Sequence, residues 1–328
     1  MDEIKKNLYL KSNKKILFLN TGPGFGDFIH KCLFICSNIK FKNPSVTIYF
    51  NQINHIRENK DNIFYYFDDI LSYIKLSNIN NNKYDLVINE IELTKLESSE
   101  YLCFKEIISN IKTKNFVNLN YTSFYFNSNI YCGLRYLTDD FRELFNNYIR
   151  NKVNLNDKHK ETIVFHIGSF SRKNKDYKDN ILQSHIVRLI QKYKSKKFTL
   201  IGRTSDLTNI KLIELLKTSK DNIINMIDKT ENINLLIEIL YNCKCFIGSF
   251  SGIMHLAGCC NNLRIIYTAK YAKGPEIILN LFRSNISSDE NLFYKEKWAP
   301  LSANSTRLLE SMNHEEIYQY LDDTINTI

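Results

Sequence analysis

Short apolar runs that end in glycine or polar residues recur along the chain, and amphipathic segments separate them. The first run, Lys15–Asn20 (KILFLN), is typical of a buried parallel strand, because its centre is apolar without interruption. Strands and helices that alternate in this way predict parallel sheets in an α/β fold. Further strands are predicted at 46–50, 84–88, 116–119, 162–167, 198–201, 223–224, 245–247 and 264–267.

The strand–helix pattern stops at the polar run Asn151–Glu161 and then restarts, so this run is the best linker candidate. We therefore predict two doubly wound, Rossmann-like domains, residues 1–155 and 156–305, which face a central cleft. Every glycine turn should lie where a strand reaches that cleft with its carboxyl end. Helices are predicted at 27–40, 64–76, 102–113, 136–150, 180–193, 206–218, 231–241 and 310–327.

Composition narrows the class of protein. Hydrophobic residues make up 44% of the 328 residues, which is ample for two packed cores. The 44 Lys and Arg residues outnumber the 35 Asp and Glu residues, and the net charge of +9 is spread along the chain. A basic protein can meet nucleic acid, an acidic membrane surface or a phosphorylated substrate. We do not expect a nucleic-acid partner, because no basic stripe with interleaved aromatic residues is present.

The N-terminal segment and the cysteines indicate a reducing compartment. Residues 1–15 are charged and lack the apolar core of a signal peptide, and no apolar run approaches the roughly 20 residues that span a bilayer. We therefore expect a cytoplasmic protein, with peripheral contact to the inner face of the membrane left open. The spacings miss the C-x-x-C pairs of metal sites, so we predict small buried side chains at Cys243, Cys245, Cys259 and Cys260.

The stretch Cys245–Gly258 (CFIGSFSGIMHLAG) combines a strand, a turn of small residues and the start of a helix. Backbone N–H groups stay free at a helix N-terminus, where the macrodipole adds roughly half a positive charge, so the turn is suited to a phosphate group. His255 lies one turn beyond Ser251 on the same helix face and could reach the same anion. The candidate phosphate-binding residues are Ser249, Ser251, Gly252 and His255.

A second glycine turn, Gly22–Asp27, follows the first predicted strand. It is similar to the G-x-G-x-x-G fingerprint of dinucleotide-binding proteins, but the third glycine comes one residue early and Asp27 takes its place. A carboxylate there would repel a pyrophosphate. Asp27 can cap the following helix, and it can also act as a general base on an alcohol, which are compatible roles.

A basic loop follows the first strand of the second predicted domain. Gly168 and Ser169 close that strand, and the cations Arg172, Lys173 and Lys175 come directly after them. These side chains could neutralise a diphosphate leaving group without a metal ion, and the alternative is a solvated basic loop. His166, in the strand itself, is either a packed core residue or a ligand-binding one.

These three stretches together resemble glycosyltransferase family 9, the heptosyltransferases of lipopolysaccharide and related glycan assembly. KKILFLNTGPGFGDFIH is similar to the family's first strand and its G-x-x-G-D turn. IVFHIGSFSRKNKDY is similar to the opening of its second domain, with either Lys173 or Lys175 as the lysine that faces the phosphates. Cys245–Gly258 is similar to its D-[ST]-G-x-x-H-x-A motif, although Phe250 stands where the family usually has aspartate.

The resemblance implies a GT-B fold and an inverting glycosyltransferase without a metal cofactor. The sugar donor would be a nucleotide-diphosphate sugar, with ADP-heptose the first candidate, and the acceptor a hydroxyl of a glycan, a lipid-linked or lipopolysaccharide-type molecule, or a protein. The final helix, 306–328, would pack back on the first domain. Asp27 would be the catalytic base. The residues implied to bind the sugar donor are Gly24, Gly26, Gly168, Ser169, Arg172, Lys173, Lys175, Ser249, Ser251, Gly252 and His255.

Two other functions remain open from the residues. Phe250 in place of aspartate would suit a catalytically idle protein that binds a nucleotide or a sugar. A nicotinamide-dependent oxidoreductase would need an acidic residue for the ribose at the end of the second strand. That strand runs into Phe50-Asn51-Gln52, which has no acid.

Overall fold

The computed structural model contains two compact units, Met1–Phe141 and Arg142–Ile328, each with its own parallel sheet. The division falls earlier in the chain than the boundary predicted at residue 155. The residues that the structure describes are 14–20, 29, 36, 39–40, 43–52, 67, 69–74, 76–90, 106, 108–113, 115–118, 139–153, 159–168, 177–218, 221–230, 232–249, 251–260, 263–268, 305–308 and 313–328.

The first unit is built on a five-stranded parallel sheet in the order β3-β2-β1-β5-β7. Leu17 of β1 pairs with β2 on one side and with β5 on the other, so β1 is central and buried on both faces. A separate parallel pair is formed by β4 and β6. The strands are β1 (Lys15–Asn20), β2 (Thr47–Gln52), β3 (Ser72–Tyr73), β4 (Lys83–Tyr84), β5 (Leu86–Glu90), β6 (Lys112–Thr113) and β7 (Phe116–Asn118).

The helix predicted at 64–76 is wrong in the part that the structure describes. Ser72 and Tyr73 form the edge strand β3 on β2, and a 3-10 helix runs from Leu76 to Asn81. The apolar residues of this segment fit a short strand as well as a helix, and pairing with β2 decides between them. Within this 3-10 helix, Ile79 is fully buried in the core of the unit, while Asn78 and Asn81 are exposed.

The second unit is built on a six-stranded parallel sheet in the order β10-β9-β8-β11-β12-β13. Counted within the sheet, this is the strand order 3-2-1-4-5-6 of the doubly wound dinucleotide-binding fold. The predicted strands are confirmed within two residues at each end, and β13 was not predicted. The strands are β8 (Ile163–His166), β9 (Phe198–Ile201), β10 (Ile223–Asn225), β11 (Cys245–Ser249), β12 (Arg264–Thr268) and β13 (Ser305–Leu308).

Helices connect these strands, and polar side chains cap the starts of those that begin at Ile210, Ile233, Gly252 and His314. Asn209 accepts a hydrogen bond from the Leu212 N–H, so α3 starts at Ile210 rather than at the predicted residue 206. Tyr241 at the end of α4 donates to the Asn146 carbonyl, which ties α1 to the second unit. The helices are α1 (Asp139–Lys152), α2 (Tyr177–Lys192), α3 (Ile210–Lys217), α4 (Ile233–Asn242), α5 (Gly252–Gly258) and α6 (His314–Thr327).

The final helix, α6, packs on α2 within the second unit. Ile317, Leu321 and Ile325 recur at helical spacing and lie in the same buried cluster as the core residues of β8 and β9. The Arg188 guanidinium forms two hydrogen bonds with the Glu315 carboxylate, at 2.8 and 3.2 Å. The apolar face of α6 is thus buried in the core of the second unit, and the expectation that 306–328 packs on the first domain stays a prediction.

No helix in the described part of the chain is both long enough and apolar enough to cross a membrane.

Candidate functional site

The strand order of the six-stranded sheet reverses between β8 and β11, and this point is the natural place for a ligand. The two strands are neighbours and run parallel, with Phe165 opposite Ile247. Their carboxyl ends therefore meet at one edge, where β8 ends in His166 and β11 ends in Ser249. In open parallel sheets, ligands bind in the crevice outside such a switch point.

The turn between β11 and α5 forms as the sequence predicts. Ser251 is the N-cap of α5, and its hydroxyl accepts a hydrogen bond from the Met254 N–H at 3.2 Å. Gly252 is the first residue of the helix, and the His255 N–H donates to the Ser251 carbonyl at 3.2 Å. Ser249, Ser251 and Gly252 are thus consecutive parts of one strand–turn–helix connection at the switch point.

His166 is the residue that the structure adds to this group. Its Nδ1 atom lies 3.4 Å from the Ser251 hydroxyl oxygen, which joins the end of β8 to the cap of α5. The residue is only 3% exposed, and burial lowers the pKa of His166 to about 4. The imidazole is therefore neutral at pH 7, with one nitrogen that donates and one that accepts.

Two small residues of β11 shape the surroundings of His166. A Cβ atom at Gly248 would lie 2.8 Å from the Cβ of His166, which is too close for any side chain. The glycine therefore lets the two strands bring the imidazole to the sheet edge. Ser249 is 5% exposed, and its buried hydroxyl has no hydrogen-bond partner among the residues that the structure describes. A buried hydroxyl without a partner is costly, so a ligand oxygen at this edge would be stabilised by it.

His255 lies one turn along α5 and is 2% exposed. The residues on either side of it, Met254 and Leu256, are fully buried, so this part of α5 is enclosed. The predicted contact between His255 and a phosphate stays a prediction.

Gly168 has a packing role that is independent of any ligand. A Cβ atom there would lie 2.5 Å from the Cβ of Asp206, in the turn that follows β9. The side chain of Asp206 therefore packs directly over Gly168, in the space that a larger residue there would occupy. Gly202, at the end of β9, has a φ of +137°, a conformation that disfavours any side chain.

Gln183 on α2 joins these two turns, and the sequence reasoning did not single it out. Its side chain is fully buried, and its amide nitrogen donates to the carbonyls of Ile167 and Asp206, at 2.9 and 2.7 Å. Its carbonyl oxygen accepts from the N–H groups of Thr208 and Asn209, at 3.0 and 3.1 Å. One amide thus holds the turn after β8, the turn after β9 and the start of α3.

Asp228, after β10, holds the next turn along the same edge. Its carboxylate accepts from the backbone N–H of Thr204 at 3.0 Å and from the Thr204 hydroxyl. These hydrogen bonds stabilise the ionised form and lower the pKa of Asp228. The carboxyl-end turns of β8, β9 and β10 are therefore linked in series by buried or charged hydrogen bonds.

Several predicted site residues lie outside the described residues, and their roles stay predictions. They are Gly24, Gly26, Asp27, Ser169, Arg172, Lys173, Lys175 and Phe250.

The cysteine prediction is confirmed for the four cysteines of the second unit. Each is a buried free thiol, and burial raises the pKa of every one, to about 12 for Cys245. Thiols that resist ionisation pack as small apolar side chains. Within the described part of the chain, no three His, Cys, Asp or Glu side chains come together as a metal site would require.

No protein-family model and no curated protein sequence matches the chain. Solved structures do match it along most of its length. ADP-heptose LPS heptosyltransferase II of E. coli matches with a TM-score of 0.56 and 12% sequence identity, covering 95% of this chain and 99% of that one. The glycosyl transferase family 9 protein of Veillonella parvula matches with a TM-score of 0.55 and 15% identity, covering 95% and 92% of the two chains.

The chain has the GT-B fold. The expected fold class, two Rossmann-like domains with parallel sheets, is confirmed by these matches and by the two sheets themselves. The resemblance that three short motifs indicated therefore extends to the fold of nearly the whole chain. At 12 and 15% identity the likeness establishes the fold, and the chemistry has to be argued from the site.

Proposed function

We propose that this protein is an inverting glycosyltransferase that moves a sugar from a nucleotide-diphosphate sugar to an acceptor hydroxyl. The observation that carries the proposal is the polar group at the switch point, where His166, Ser249 and Ser251 converge in a GT-B fold. The neutral imidazole of His166 and the Ser249 hydroxyl, at the carboxyl ends of two neighbouring parallel strands, can donate hydrogen bonds to the oxygens of a diphosphate.

The second unit would bind the sugar donor. Its diphosphate would lie at the β11–α5 turn, near Ser251 and Gly252, and the cations Arg172, Lys173 and Lys175 would neutralise the leaving group. Both structural matches are glycosyltransferases by name, and one is named for ADP-heptose. ADP-heptose is therefore the first sugar donor to test. A protein cation in this role replaces the metal ion that other phosphate chemistry uses.

The first unit would supply the base. In a single displacement, the acceptor oxygen bonds to the anomeric carbon while the bond from that carbon to the diphosphate breaks. Asp27 would take the proton from the hydroxyl, which is a role for an ionised carboxylate. The acceptor would be a hydroxyl of a glycan, of a lipid-linked or lipopolysaccharide-type molecule, or of a protein. A cytoplasmic protein with net charge +9 would also suit an acceptor on an acidic membrane surface.

The first test is a thermal-shift screen of the purified protein against ADP, GDP, UDP, CMP and NAD, with ADP-heptose and UDP sugars alongside. A ligand at a hundred times its dissociation constant stabilises the folded state by about 2.7 kcal/mol, which is easily detected. We expect one nucleoside diphosphate and its sugar to respond. A response to NAD alone would favour the oxidoreductase and overturn the proposal.

The second test separates a transferase from an idle binding protein. Asp27→Asn should lower the rate of nucleoside diphosphate release in the presence of acceptor by about 10²- to 10⁴-fold, with binding of the sugar donor retained. Asp221→Asn, an exposed aspartate of the second unit, is the matched control and should leave both unchanged. Binding of the sugar donor by the wild type without any turnover would favour the idle protein.

A further inference from the structure

We propose that His166 is a binding residue for the sugar donor, which donates a hydrogen bond from its Nε2–H to a diphosphate oxygen. The inference rests on the proposed function and deepens it, because it names a neutral hydrogen-bond donor that none of the sequence motifs assigned.

The hydrogen bonds around Ser251 set the direction of the contact with His166. The Ser251 oxygen accepts from the Met254 N–H at 3.2 Å, so one of its lone pairs is used by the helix cap. The hydroxyl hydrogen needs an acceptor, and Nδ1 of His166 lies 3.4 Å from the oxygen. In this arrangement the Met254 N–H donates to the Ser251 oxygen, and the Ser251 O–H donates to Nδ1 of His166. Both donors therefore have an acceptor. The opposite tautomer would leave the Ser251 hydrogen without this acceptor.

A ring that accepts at Nδ1 carries its hydrogen on Nε2. Among the residues that the structure describes, no hydrogen bond to Nε2 of His166 occurs. The residue is 97% buried at the end of β8, beside the unpartnered hydroxyl of Ser249 at the end of β11. Two adjacent strand ends thus present hydrogen-bond donors without protein acceptors at the switch point. A diphosphate offers several acceptor oxygens to such a pair.

The neutral state of the ring gives the contact a recognisable pH profile. Burial keeps the pKa of His166 far below its ordinary value. Among the described residues, Ser251 of α5 and Phe246 of β11 contact the ring, and neither carries a charge. A bound diphosphate will raise the pKa, but from a low starting value. A neutral donor therefore adds no pH dependence of its own between pH 6.5 and 8.5, so the affinity should follow only the second ionisation of the terminal phosphate, whereas a histidine with an ordinary pKa would lose affinity as it deprotonates.

Two substitutions separate the two nitrogens. His166→Asn keeps an acceptor near the position of Nδ1 and removes the distal donor, while His166→Gln keeps a distal N–H and removes the acceptor. We measure dissociation constants by calorimetry for ADP, GDP and UDP, each against its own nucleoside. For the diphosphate that binds the wild type, His166→Asn should weaken binding by roughly 10- to 100-fold, as expected for a hydrogen bond to a charged group. In His166→Asn, binding of the nucleoside should not change. His166→Gln should weaken binding of the diphosphate less than His166→Asn does.

A second measurement needs no variant to fold. Histidine labelled with ¹⁵N reports the tautomer directly, and Nε2 should carry the hydrogen in the wild type at pH 7 and shift when the diphosphate is added. An Nδ1–H tautomer, or equal losses for the diphosphate and the nucleoside in His166→Asn, would overturn this inference and leave the proposed function standing. A wild type that binds none of the three diphosphates would overturn both.

Discussion

Gln183 shows how a single side chain can set the geometry of the candidate site without touching a ligand. Its amide is fully buried and uses both its nitrogen and its oxygen, with partners in two segments that are far apart in the sequence, at Ile167 and at residues 206–209. These hydrogen bonds fix the spacing of the turns after β8 and β9. Gly168 completes the contact, because its missing side chain admits Asp206.

We expect Gln183→Met to destabilise the protein by about 2–4 kcal/mol, because it leaves buried carbonyl and N–H groups without partners. Equilibrium unfolding in urea measures the change. Gln191→Met is the matched control, since it makes the same substitution at an exposed position of the same helix, and it should change stability by less than about 0.5 kcal/mol. Equal effects of the two substitutions would show that the buried amide has no special role.

At the scale of elements, the packing of the final helix α6 assigns the C-terminal segment of the chain to the second unit. Asn313 and Glu316 form a capping box, so the start of α6 is visible in the sequence. The surface on which α6 packs cannot be read from the sequence, because an amphipathic helix can cover any apolar face of matching size. The face is chosen by α2, where Arg188 lies 3.6 Å from the Tyr318 ring and also binds Glu315.

Leu321→Ala should therefore destabilise the second unit, by about 2–5 kcal/mol, because it removes a fully buried side chain from the core of that unit. Hydrogen exchange resolves the effect by segment, and faster exchange is expected in β8 and α2. Asp323→Ala, at an exposed position of the same helix, should leave exchange unchanged. Faster exchange confined to β1 and β5 after Leu321→Ala would contradict this prediction and would show that α6 packs on the first unit.

At the scale of the molecule, the two units have separate sheets and separate cores. The second holds all the described residues of the candidate site, on a sheet whose strand order is that of a complete nucleotide-binding fold. Its core draws on β8, β9, β11, β12 and the helices α2, α3 and α6. A unit with its own core is able to fold by itself.

We expect a fragment of residues 139–328 to fold alone and to bind the nucleoside diphosphate selected by the screen, with an affinity near that of the full chain. Circular dichroism and calorimetry check the two parts of the prediction. Glycosyl transfer should be absent, because Asp27 is missing. A fragment that folds but does not bind would place essential nucleotide contacts in the first unit.

The sequence by itself determined the α/β class, nearly all strands of the second sheet and the strand–turn–helix at Cys245–Gly258. Buried parallel strands are continuous apolar runs, and their ends are marked by glycine and serine, so these features are local. The resemblance of three motifs to one enzyme family then predicted the GT-B fold.

Only the tertiary structure decided which polar groups meet. His166 and Ser251 lie 85 residues apart in the chain and 3.4 Å apart in space, between Nδ1 and the hydroxyl oxygen. Their contact depends on β8 and β11 being neighbours and on a glycine at position 248. The sequence also does not predict the edge strand β3, the surface on which α6 packs or the contacts of Gln183, because each depends on tertiary contacts. Strand pairing and side-chain burial depend on residues that are distant in the chain, so a local sequence pattern does not predict them.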